Sequence, residues 1–157
     1  MDYKNKIIQT VNQFYVECVE EFKEAELKIA SDSKFRTIFR KKDYKGNIEL
    51  LKGCKKRAQH LKFPTGDIPK SDTDSKELIR LTEGAIRQFN RLCDAYIQMQ
   101  IALQKKAQGE GVSYAEYKDI YRRSQEESVA MNRQLQELDL VYTDYMEDAD
   151  YDVYEFL

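Results

Sequence analysis

The chain has 157 residues, 34% of them charged and 41% hydrophobic, with six Gly, two Pro and a formal net charge of −2. That length suits one domain with a core of its own. The shortage of Gly and Pro favours long helices over a many-turned β fold, and the near-balanced charge excludes bulk affinity for nucleic acid or membrane. The first residues hold no apolar run of the signal-peptide kind, and no apolar run in the chain exceeds three residues. The expectation is a soluble intracellular, cytoplasmic protein with no membrane span. Cys18, Cys54 and Cys93 are odd in number and far apart, with no Cys-x-x-Cys pair. They read as small buried hydrophobes rather than as a disulfide framework or a zinc site.

Ile7, Val11, Phe14, Cys18, Phe22, Ala25 and Ile29 recur at helical intervals, which predicts a first amphipathic helix over 3–30. Its Glu17, Glu20, Glu21 and Glu24 form a solvated acidic face. A carboxylate di-metal bundle would need Glu-x-x-His pairs, and the single histidine, His60, has Arg57 three residues before it. Ser31-Asp32-Ser33 supplies cap residues that are expected to interrupt the helix, with Phe35, Ile38 and Phe39 as a short apolar patch after it. Residues 42–46 read as a turn, and Ile48, Leu51, Cys54, Ala58 and Leu61 give a helix over 47–61, leaving 33–61 as either one kinked helix or two. Both prolines fall in 63–73, the linker.

Asp74 as cap and Glu77 three residues on open the next predicted helix, which runs to about 108. Leu78, Thr82, Ala85, Phe89, Leu92, Tyr96, Met99 and Leu103 are spaced strictly 4, 3, 4, 3 along it. Ile79, Ile86 and Cys93 add a second apolar row, a candidate surface for a partner helix. Gly109 and Gly111 close the helix, and Ser113 with Glu116 forms a capping box for the last one, 113–146. The same 4, 3 spacing runs through Tyr117, Tyr121, Ser124, Ser128, Met131, Leu135, Leu138, Tyr142 and Tyr145. These elements predict an all-α antiparallel bundle of three long helices plus a shorter or broken basic segment. They make one domain over 1–146, followed by an acidic aromatic tail over 147–157.

Two charge extremes carry the functional expectations. Residues 34–62 hold eleven positive side chains against Asp43 and Glu49, a net +9. Lys41, Lys42, Lys45, Lys52, Lys55, Lys56 and Arg57 are the candidate polyanion-binding residues of that stretch. The alternative there is a solvated face with neighbours of opposite sign. The tail interleaves acids with Tyr151, Tyr154 and Phe156, the composition of a disordered end or of a short partner-binding motif. No phosphate loop, nucleophile elbow, His-Glu-x-x-His or cofactor motif occurs, so no catalytic residue, metal ligand or cofactor is assigned. The leading expectation is a non-enzymatic interaction module that self-associates or binds another helical protein. The alternatives are a regulator binding nucleic acid or another polyanion through 34–62, and a small-molecule-binding or enzymatic bundle whose buried tyrosines line a pocket.

Overall fold

The computed structural model describes residues 2–34, 43–64 and 66–155, with the side chains at 31–34 and 150–155 outside that description. It is an all-α bundle of four rods packing against one another. The first rod is continuous but not uniform: α1 (Tyr3–Gln13), a π-helical turn (Phe14–Val19) and α2 (Glu20–Lys34). The others are α3 (Tyr44–His60), α4 (Thr73–Ala107) and α5 (Tyr114–Glu155).

The π turn answers a feature of the sequence. Phe14, Cys18 and Phe22 stand at two successive intervals of four, each of which overshoots a 3.6-residue turn by about 40°. A wider turn absorbs the drift. The Glu20 N–H reaches back five residues to the Tyr15 carbonyl, and all three side chains stay in the core.

Hydrogen bonds between rods set their directions. Tyr3 Oη donates to Asp72 Oδ2 at 2.5 Å and Tyr96 Oη to Glu26 Oε2 at 2.8 Å, so the first rod and α4 run the same way. Asn47 bonds Gln100 and Lys55 bonds Asp94, so α3 opposes α4. Ser75 bonds Tyr145 and Ser124 bonds Met99, so α5 opposes α4 as well. The result is an up-and-down four-helix bundle in which the first rod and α4 are diagonal partners. Phe14, Phe22, Phe89 and Tyr96 fill its centre edge-on, with ring centroids 5.1–5.8 Å apart. A buried amide pair, Asn47 Nδ2 to Gln100 Oε1 at 3.0 Å, fixes the level of α3 against α4.

Several boundaries differ from the sequence expectation. Ser31-Asp32-Ser33 does not interrupt the first helix, because α2 carries on to Lys34. The helix α3 begins at Tyr44, with Asp43 as its cap accepting from the Gly46 N–H. A Cβ on Gly46 would lie 2.1 Å from that carboxylate, so the glycine serves the cap rather than a turn. The cap of α4 is Asp72, two residues before Asp74, because Asp72 also gathers Tyr3 and the Ser75 hydroxyl. Gly109 takes φ 77° and Glu110 N–H returns to the Lys105 carbonyl, the expected left-handed stop. Beyond 146 no Gly or Pro ends α5, which therefore runs to Glu155 and, with Tyr145 beside Ser75, past the start of α4. Phe35, Ile38 and Phe39 lie outside the described residues.

Candidate functional site

Three of the bundle's seams are closed by backbone-level packing; the fourth, between the first rod and α5, is bridged by side chains. At its lower end Tyr15 stacks on Tyr142 with centroids 5.8 Å apart and donates a hydrogen bond to Asp139. Tyr142 Oη reaches the Ile8 carbonyl at 3.4 Å. Higher up, Tyr96 rises from α4 between the two rods to Glu26 on one side and Ser128, at 3.3 Å, on the other. Burial, opposed by Ser128 and assisted by Glu26, pushes the Tyr96 phenol up to about 12, so it stays a neutral donor.

Between these bridges lies a groove of about 80 Å³. Val19, Phe22, Phe89, Leu92, Met131 and Leu135 form its floor, and Lys23, Glu26, Ser128 and Asn132 its rim. The π turn delivers Val19 to one wall, and a local change of helical winding beside a concavity recurs at functional sites. Lys23 and Asn132 are exposed, and neither has a hydrogen bond or ion pair among the described residues. Sequence reasoning missed this groove. Its floor reads as ordinary heptad core, and only the two successive intervals of four in the first helix marked the place.

Two further hollows are less specific. Asp74, Glu77, Asp144 and Asp148 surround Val141 and Tyr145 in a cleft of about 330 Å³ where α4 begins and α5 ends. Arg80 neutralises Glu77 through two hydrogen bonds, at 2.6 and 3.0 Å, and Tyr145 is held by Ser75. A wider hollow is bounded, among the described residues, by α5 alone, so no two elements converge on it.

The sequence candidates fall out as follows. Lys41 and Lys42 lie outside the described residues. Lys45, Lys52 and Lys56 are exposed on α3 without an ion pair among the described residues. Lys55 binds Asp94 at 2.8 Å, and Arg57 spans Glu21, the Glu17 carbonyl and Cys54 Sγ. Acidic neighbours thus compensate part of the basic helix. Cys93, expected on a partner surface, is fully buried. The helix α3 covers the upper part of α4, while Ile79 and Ile86 are half-buried against a core to which the linker adds Leu61, Phe63 and Ile68. Tyr151 and Tyr154 belong to the last turns of α5, with side chains outside the described residues, as is the whole of Phe156. All three thiols are buried; burial pushes Cys18 up to about 12 and raises Cys54 and Cys93 too, which keeps them protonated. Among the described residues no three His, Cys, Asp or Glu side chains converge to hold a metal ion, and no helix is long and apolar enough to cross a membrane.

Comparison with protein-family models, with curated proteins and with solved structures found no match to this chain. The class rests on the fold: an all-α, up-and-down four-helix bundle.

Proposed function

We propose that the protein is a non-enzymatic helical interaction module that self-associates through the outward face of α5. The observation that carries this reading is where the exposed large hydrophobics lie. Among the described residues, Tyr114, Tyr121, Val129, Leu140 and Met146 are all on α5, against Val16, Leu27 and Leu50 elsewhere. Val129 and Leu140, 58% and 72% exposed, are eleven residues apart and so share one stripe three turns long, turned away from Met131 and Leu138. Charge favours a second copy in antiparallel order. From Gln134 to Asp148 the helix has Glu137, Asp139, Asp144, Glu147 and Asp148 with no positive residue, whereas its first half balances Lys118, Arg122, Arg123 and Arg133 against Glu116, Asp119, Glu126 and Glu127, with Arg122 paired to Asp119 and Glu126. An antiparallel two-fold pairing keeps the two acidic halves apart and sets each against the partner's balanced half.

Light scattering at tens of micromolar should give a dimer mass, and the double variant Val129→Glu/Leu140→Glu should give a monomer with a melting temperature within a few degrees of the parent. A monomeric parent would remove the proposal.

A further inference from the structure

The rim of the groove between the first rod and α5 carries one positive and one negative side chain a single turn apart. Lys23 and Glu26 are three residues apart and so neighbours on the rod, yet they make no ion pair with each other, and Lys23 makes none with any described residue. One Glu26 oxygen accepts from Tyr96; the other is uncommitted. Asn132 on the opposite bank adds an unengaged amide. The space beneath is apolar and, at about 80 Å³, smaller than the roughly 150 Å³ that takes a benzene ring, which suits a short branched alkyl chain. Two opposite charges side by side above a small apolar hollow are complementary to one ligand chemistry, a zwitterion with an aliphatic side chain.

We infer that this groove binds an aliphatic α-amino acid of the leucine type, with its side chain against Phe22, Phe89 and Met131, its carboxylate at Lys23 and its ammonium at Glu26. Lys23 and Glu26 are then selectivity residues, and each end of the ligand satisfies a charge that the free protein leaves unpaired. The inference stands apart from self-association, because the groove faces the first rod and the Val129/Leu140 stripe faces outward.

Methionine methyl resonances test it in the intact chain, whose four methionines include Met131 on the groove floor and Met99 and Met146 away from it. L-Leucine added to protein carrying ¹³C-methyl methionine should shift Met131 saturably, with a dissociation constant of about a millimolar, and leave Met99 and Met146 in place. Removing either charge from the ligand, as in 4-methylpentanoate or 3-methylbutylamine, should weaken binding at least about three-fold, the scale of one partly exposed charge contact. Lys23→Met should abolish the preference for leucine over the amine. Glu26→Gln, which keeps an acceptor for Tyr96, should abolish the preference over the acid. No Met131 shift at about 50 mM leucine, equal shifts of all methyls, or equal binding of the three probes to the parent protein would each overturn the inference, and the probe comparison decides even if a variant folds poorly.

Discussion

The helices α4 and α5 have the same heptad spacing and different surroundings. Diagonal to the first rod and flanked by α3 and α5, α4 buries every seam residue from Leu78 to Met99, and Gln88, Cys93, Ile97 and Gln100 besides. On α5, from Ser124 on, one position of each heptad is buried, Ser124, Met131, Leu138 and Tyr145, each seven residues from the next, while Tyr117 at the same position is half-buried. The alternate positions, Tyr121, Ser128, Leu135 and Tyr142, are exposed or half-buried and look toward the bridged seam. A heptad therefore identifies the face that meets a neighbour but not how many neighbours close over it. The half-closed rows of α5 line the groove, and the residues behind them form the outward stripe.

The largest expected effect breaks the better-enclosed helix. Measured on the monomeric Val129→Glu/Leu140→Glu background, Phe89→Ala, at 1% exposure and touching Phe14 and Phe22, should lower unfolding free energy by about 3 to 5 kcal/mol in urea, whereas Leu27→Ala, 69% exposed on the first rod, should stay below about 0.5. Similar losses at the two positions would mean that α4 is no better enclosed than an exposed helix face, and the contrast would collapse.

A smaller effect sharpens the description of the bridged seam. Tyr15→Phe keeps the ring on Tyr142 and removes the hydrogen bond to Asp139, so it should cost about 0.5 to 1.5 kcal/mol. Burial, and then the Asp139 hydrogen bond, raises the Tyr15 phenol, so it is a neutral donor at pH 7 and the cost should be the same from pH 6 to 8. A loss several times larger would show that this seam is closed as firmly as the one between α4 and α5.

The smallest effect concerns the base of the bundle, where the first rod, α4 and α5 meet at Asp72. Burial pushes its carboxyl up, but hydrogen bonds from Tyr3, the Ser75 hydroxyl and the Ser75 N–H outweigh that and hold it below the usual carboxylate range. A group depressed in the folded state adds stability that is present above its unfolded pKa and is lost as pH falls through the folded one. Acid unfolding should therefore have a contribution from Asp72 below about pH 4, and Asp72→Asn should flatten that limb without changing its neutral-pH shape. An unchanged acid limb in the variant would show that other carboxylates carry it.

Much of this fold was legible in the chain. Ile7, Val11, Phe14, Cys18, Phe22 and Ala25 are buried as their spacing required, and the closing Gly109 and the Ser113 cap, which accepts the Glu116 N–H at 3.1 Å, act where their chemistry is strongest. The caps that were misplaced had competitors a residue or two away. Asp72 prevailed over Asp74 through Tyr3, a residue 69 positions distant, and no local rule sees that partner. The second row of α4 divides for a related reason. Spacing alone does not distinguish a row that faces another chain from one that faces this one; within the chain Cys93 is fully buried while Ile79 and Ile86 are half-buried against the core.

By itself the sequence determined the helical class, the register of each apolar face and the main breaks, because those follow from local spacing, turn residues and caps within a few positions. Tertiary structure alone decided which faces were shared, that the first rod would take a π turn to keep Phe14, Cys18 and Phe22 inward, and that its seam with α5 would stay bridged rather than filled. Those outcomes depend on side chains meeting from opposite ends of the chain, as Tyr15 meets Asp139 and Glu26 meets Tyr96, and pairings of that range are fixed by how four rods fit around one core.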